Sequence, residues 1–126
     1  MFSKFFSKDT SSNVIWKELS EISQLDELDI LSTDHPVLIF KHSTRCPISS
    51  MSLNRFERGS NGSPSFVPFF LDLISYREIS NEIAHRYHVQ HESPQTILIH
   101  KGKAVYSSSH NGISFEKVQE VSSDLI

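Results

Sequence analysis

The stretch Pro36-Val37-Leu38-Ile39-Phe40 restricts this chain more than any other, because five apolar residues follow one another with no polar alternate. A strand with one wet face alternates, whereas an unbroken apolar run reads as a strand covered on both faces in a parallel sheet. Lys41 to Cys46 then lie at the strand's carboxyl end, where open α/β sheets place their ligands, and the following helix points its partly positive N-terminus into the same crevice. Pro47 suits the first position of that helix, where a missing N–H costs nothing, so Cys46 falls at or beside the N-cap. Ile48, Met51, Leu53 and Phe56 supply the helix with apolar surface, and Gly59 is its expected stop.

The other segments are read around this strand. Val14-Ile15-Trp16-Lys17-Glu18-Leu19 reads as a short first strand. Ser23 can cap a helix carrying Leu25, Leu28 and Leu31, with Asp26 and Glu27 in its first turn, ending near Ser32 to His35. Gly59 to Ser65 is dense in turn formers, and the strand after it is Phe69 to Ile74, with Pro68 at its first residue. Ser75-Tyr76-Arg77-Glu78 has the capping-box pattern, and Ile79, Ile83 and Tyr87 stripe one helix face to about His88. Thr96 to His100 and Lys103 to Tyr106 flank a two-residue turn at Lys101-Gly102, a hairpin signal. A last helix turns Phe115, Val118, Val121 and Leu125 inward. The order is β-α-β-α-β-α-β-β-α, an α/β domain whose mixed sheet is covered by helices on both faces.

Composition narrows the functions such a domain can have. A length of 126 residues, 37% hydrophobic and 21% charged, suits one domain with one core and neither disorder nor a membrane span. The net charge of -3 and the scattered basic residues argue against a nucleic-acid partner. Met1 to Lys8 has three phenylalanines but no apolar core of a signal peptide, so a signal sequence is not expected. Residues 1–12 are read as an extension, either poorly ordered or a short helix lined by Phe2, Phe5 and Phe6, and residues 13–126 as the domain.

Cys46 is the only cysteine, so no internal disulfide can form and a reducing compartment such as the cytoplasm is the natural home. A free thiol of pKa about 8.5 is only about 3% ionised at pH 7. A helix N-terminus and neighbouring cations shift that balance toward thiolate, and Lys41, His42 and Arg45 stand beside Cys46 in sequence. The alternative reading is a buried, inert cysteine acting as a small hydrophobe. Placement between polar Thr44-Arg45 and the helix-opening Pro47 favours the reactive reading. Ser49 stands where a Cys-x-x-Cys oxidoreductase has its second thiol; it either donates to the thiolate or caps the first turn. Lys41, His42 and Arg45 are either surface residues or anchors for an anionic small thiol, with Arg45 offering a bidentate fork. His85, His88 and His91 are three apart, but no further cysteine or carboxylate cluster completes a metal set, and no metal is expected.

The β-α order, with a thiol between the second strand and second helix and a proline opening the fourth strand, looks like a thioredoxin fold. His42-Ser43-Thr44-Arg45-Cys46-Pro47-Ile48-Ser49 together with His91-Glu92-Ser93-Pro94-Gln95 resembles the YtxJ family of bacillithiol-system proteins, the monothiol bacilliredoxins, from about residue 13 to 126. The resemblance implies removal of bacillithiol, or a similar low-molecular-weight thiol, from mixed disulfides on S-thiolated cytoplasmic proteins. Bacillithiol would be a co-substrate with no bound cofactor, and a thiol-regenerating partner would complete the cycle. It also implies a cis Pro94 packed against Cys46, with Ser93 offering backbone groups to the substrate; on base rates alone the bond would be trans. Two other classes fit the residues: a redox-inactive thioredoxin-like binding module, and a cluster-binding monothiol glutaredoxin-like protein. The latter carries Gly-Phe-Ser after its cysteine where this chain has Pro-Ile-Ser.

Overall fold

Val37–His42 is buried at all 6 positions and lies in the middle of a five-stranded sheet. The computed structural model describes residues 14–126, so the expectation for residues 1–12 falls outside the described residues. In chain order the elements are β1 (Lys17–Glu18), α1 (Ser23–Leu31), β2 (Val37–His42), α2 (Pro47–Arg58), β3 (Val67–Asp72), α3 (Arg77–Tyr87), β4 (Gln95–His100), β5 (Lys103–Ser109), a 3-10 turn (His110–Gly112) and α4 (Phe115–Ser123). The sheet order is β1-β3-β2-β4-β5. β2 runs parallel to β3 and antiparallel to β4, and β5 returns antiparallel beside β4.

Because β2 has no wet face, its side chains alternate between two cores instead of between core and water. Val37 and Ile39 join Leu25, Leu28, Ile79, Ile83 and Tyr87 beneath α1 and α3. Leu38 and Phe40 join Leu53, Phe56, Phe115 and Val118 beneath α2 and α4. The second core is aromatic, with Trp16, Phe40, Phe56, Phe70 and Phe115 in ring contacts of 5.4 to 5.9 Å. The Trp16 indole N–H donates to Glu57 Oε2 at 2.7 Å, so a buried donor and a buried carboxylate satisfy each other.

Several local expectations are corrected. The first strand is shorter than the Val14 to Leu19 run, because only Lys17 and Glu18 pair with β3, although Val14, Trp16 and Leu19 are buried. Ser23 does not cap α1; Gln24 Oε1 accepts from the Ser20 and Glu21 amides and closes that end instead. The Ser75 capping box does not form, since the Ser75 hydroxyl donates to Asp72 Oδ2. Ile48 and Met51 are 60% and 66% exposed, because α2 buries Ser49, Ser52, Leu53, Phe56 and Glu57, a face set by Leu53 and Phe56 and continued through serines. β3 starts at Val67, so Pro68 is its second residue. The Phe70 carbonyl accepts from Leu19 on the β1 side; two residues back, Pro68 turns its nitrogen to the same side, beyond the last β1 pair, where no ladder bond is lost.

The hairpin turn has φ values of 55° at Lys101 and 76° at Gly102, the positive pair that a two-residue type I′ turn requires. It is docked on the end of α1, where the Lys101 amide donates to the Ser32 carbonyl and the Gly102 amide to Ser32 Oγ.

Phe56 is fully buried and joins Trp16, Phe40 and Phe115. Phe56→Ala is expected to destabilise the fold by about 3–5 kcal/mol, measured as the shift in a urea unfolding transition.

Candidate active site

Cys46 is half-buried and stands at the N-cap of α2, with φ -110° and ψ 115°. Its carbonyl accepts the first helical bond from the Ser50 amide at 3.1 Å, and its own amide donates to Ser43 at 3.2 Å across a tight turn. Pro47 occupies the first helical position. It has no N–H, so the amides of Ile48 and Ser49 are the open donors of the first turn, and they carry the positive end of the helix to the cysteine.

The start of β4 lies at the same end of the sheet. Gln95 pairs with Lys41, which puts Pro94 level with the end of β2. The Ser93–Pro94 bond is cis, and the Pro94 carbonyl accepts from His110. Pro94 is buried. Ser93 Oγ is also buried and has no hydrogen-bond partner among the described residues. An orphaned hydroxyl at such a place marks a polar group not satisfied by the fold itself.

The three basic residues flanking the thiol in sequence separate in space. Arg45 and Thr44 are exposed on the loop before Cys46. Lys41 and His42, adjacent in β2, point to opposite faces. Lys41 follows Val37 and Ile39 to the α1 and α3 side, where it is 0% exposed and its Nζ donates to His91 Nδ1 at 2.7 Å. Burial pushes the Lys41 pKa down to about 8, against a smaller opposing effect of Glu92. Burial, then Lys41 and Arg77, hold the His91 imidazole below its usual value, with Glu92 opposing. A neutral His91 accepting at Nδ1 is the partner a buried ammonium needs. The pair ties the end of β2 to the segment leading into Ser93–Pro94.

His42 takes the other parity, onto the α2 side, where it is 2% exposed and lies 5.4 Å from the Phe70 ring. Its Nδ1 is 2.7 Å from Ser49 Oγ, which also accepts from the Ser43 amide at 3.1 Å. Burial pushes the His42 pKa down, with Asp72 opposing. Ser49 is fully buried under the first turn. Sequence reasoning placed Lys41, His42 and Ser49 near the thiol but did not identify His91 as the Lys41 partner or the His42–Ser49 contact. The available signal was strand parity, which separates Lys41 from His42.

Among the described residues no group of three or more His, Cys, Asp or Glu could hold a metal ion. His88 forms the left-handed cap of α3 with φ 57°, while His91 faces Lys41. No helix among the described residues is long and apolar enough to cross a membrane.

Comparison with known proteins fits this geometry. Residues 17–118 match the family described as monothiol bacilliredoxin BrxC. Among solved structures, a thioredoxin-fold protein assigned as an oxidoreductase is similar at 26% identity and TM-score 0.68, over 82% of this chain and 89% of that one. Thioredoxin from Malassezia sympodialis superposes with TM-score 0.67 at 17% identity, over 90% and 92% of the two chains. Thioredoxin from Fasciola hepatica does so with TM-score 0.63 at 18% identity, over 86% and 97%. The fold is therefore thioredoxin-like.

The Lys41 shift carries a stability prediction. Between about pH 8 and 10.5 the folded protein binds less of this proton than the unfolded chain, so the Lys41 contribution to stability rises with pH through that window. Denaturant unfolding of the parent chain and of Lys41→Met, compared from pH 7 to 9.5, should show the parent gaining stability relative to the variant. Parallel curves would mean that Lys41 titrates as an exposed lysine.

Proposed function

Because the chain belongs to the monothiol bacilliredoxin BrxC family, we propose that it removes bacillithiol, or a similar low-molecular-weight thiol, from mixed disulfides on cytoplasmic proteins through Cys46. The observation that carries this reading is a lone, half-buried cysteine at the N-cap of α2, four residues beyond the end of β2, at the end of the sheet where β4 begins after Ser93–Pro94. A thiol there stands beside the first-turn amides of α2, with the exposed Arg45 next to it in the chain.

The Cys46 thiolate attacks the outer sulfur of the protein-S-S-small-thiol adduct, in line with the departing protein sulfur. One S–S bond forms between Cys46 and the small thiol as another breaks, and the protein leaves as a thiolate that takes up a proton. Cys46 is the only cysteine, and Ser49 stands three residues on, so no second thiol of the chain can displace the adduct. Release then needs a second molecule of small thiol or a dithiol partner. This limits the chain to one half of an exchange cycle.

Recognition follows from what is exposed around the sulfur. Arg45 and Thr44 border Cys46 on the loop, and a guanidinium fork suits the carboxylates of an anionic small thiol. Ile48 and Met51, exposed on α2 beside the cysteine, give apolar contact to a protein substrate. The Ser93 backbone and its orphaned hydroxyl offer polar groups to an extended substrate segment.

Incubation with a bacillithiolated protein should release that protein's thiol and leave a single adduct, one small thiol in mass, on Cys46. Intact-mass spectrometry reads both products, and Cys46→Ala should form neither. No adduct, together with Cys46 resistant to small alkylating reagents, would overturn the reading. Trapping the protein from its own cells and weighing the adduct would identify the small thiol.

A further inference from the structure

The helices divide by the charge they show to solvent. α1, α3 and α4 present Glu27, Glu78 and Glu116. α2 presents no carboxylate: its one acid, Glu57, is buried and accepts from the Trp16 indole. At about 100° per residue, the exposed residues Pro47, Ile48, Met51, Asn54, Arg55 and Arg58 fall on one side of α2. Along that side the character changes from apolar to basic. Ile48 and Met51, 60% and 66% exposed, come first after Cys46, and Arg55 and Arg58 lie in the last turn. Arg55 donates to the His110 and Ile113 carbonyls, which hold its guanidinium without neutralising it. Among the described residues no carboxylate pairs with Arg55 or Arg58, whereas Arg86, on α3, meets Asp26, Asp29 and Glu82 at 3.1 to 3.2 Å. The helix dipole accounts for cations in the last turn. It does not account for a whole exposed side, adjoining the thiol, on which no acid stands.

We propose that the exposed side of α2 is the docking face for the S-thiolated protein, and that it selects proteins bearing carboxylates about 14 and about 18 Å from the disulfide. Those are the distances of Arg55 and Arg58 beyond Cys46 along a helix that rises about 1.5 Å per residue. The inference deepens the exchange proposed above and rests on Cys46 being its reacting thiol. Complementary charge fixes the orientation of the partner, and Ile48 and Met51 give the contact next to the sulfur its apolar part. A nucleic acid would offer phosphates to the arginines but nothing to the two apolar side chains that stand between them and the thiol. A protein surface supplies both. The chain's net charge of -3 lies elsewhere on the molecule, so the rest of the surface repels an acidic partner and this side attracts it.

The test uses helical peptides with one cysteine held as a mixed disulfide with 5-thio-2-nitrobenzoate. They differ only at two positions, about 14 and about 18 Å from that cysteine, which carry Glu, Gln or Lys. The Cys46 thiolate attacks the peptide sulfur, a Cys46–peptide disulfide forms, and thionitrobenzoate leaves with the electron pair of the broken bond, giving a coloured product to follow. Each rate is divided by that of the same protein with neutral 2,2′-dithiodipyridine, which corrects for the reactivity of the thiol itself. At low salt the Glu peptide should react roughly fivefold faster than the Gln peptide, the size of two exposed ion pairs, and the Lys peptide slower than either. The preference should vanish in about 1 M sodium chloride. Arg58→Glu, at an exposed position with no ion pair among the described residues, should reverse it, making the Lys peptide the faster. Equal rates for the three peptides overturn the proposal, as does a Glu preference that survives Arg58→Glu. A dimer in sedimentation that Arg58→Glu dissociates, or an oligonucleotide that competes with the Glu peptide, gives the face to another occupant and also overturns it. No bacillithiol enters this assay, so a charge preference found here without a bacillithiol adduct on Cys46 would defeat the proposed co-substrate and leave the docking face standing.

Discussion

Burial of β2 on both sides is the constraint on which the rest of this molecule depends. A strand whose every residue is covered has no solvent face for a charged side chain, so each polar residue at its end must find a partner in one core or the other. Lys41 and His42 are successive residues and therefore belong to different layers of the protein. One reaches His91 and secures the segment before Pro94; the other reaches Ser49 and secures the first turn of α2. Two neighbouring residues thus tie the end of β2 to the segment before Pro94 on one face and to the first turn of α2 on the other. Removing either partner would strand a buried polar group, which costs more than the bond itself contributes.

The site combines rigid and exposed parts. His42, Ser49, Pro94 and Gln95 are buried, while Thr44, Arg45, Pro47 and Ile48 are exposed around the sulfur. A nucleophile must meet a bulky disulfide partner from solvent and still keep its orientation, and a buried base layer under an open rim provides both. The loop from Ser43 to Arg45 is short because the amide of Cys46 folds back onto Ser43.

Much of this was legible in the residues. The unalternating run through Phe40, the Cys46-Pro47 junction and the Lys101-Gly102 turn each dictate local geometry by elementary sterics, and each is found where that geometry requires. The stripe of Ile79, Ile83 and Tyr87 is likewise buried as its spacing demands. What was not legible depends on long-range contact. Ile48 and Met51 are apolar by type, yet the phase of α2 is set by Leu53 and Phe56 against the sheet, which turns them outward. Ser23 and Ser75 have capping chemistry, but Gln24 and Asp72 compete for the same backbone and hydroxyl groups at closer range. Lys41 reads from sequence as a surface residue or an anchor for an anionic thiol, because nothing local announces His91, which is 50 residues away.

Pro68 has a consequence beyond its place in the ladder. Among the described residues β1 pairs with β3 only at Phe69 and Phe70, and Pro68, just before them, presents no N–H on the β1 side. A bare margin is a template on which another chain can lay a strand, and the usual safeguards are charge, irregularity or proline. At Pro68 an incoming strand finds a ring where it needs a donor. The proline that costs the native ladder nothing would cost an incoming strand a hydrogen bond.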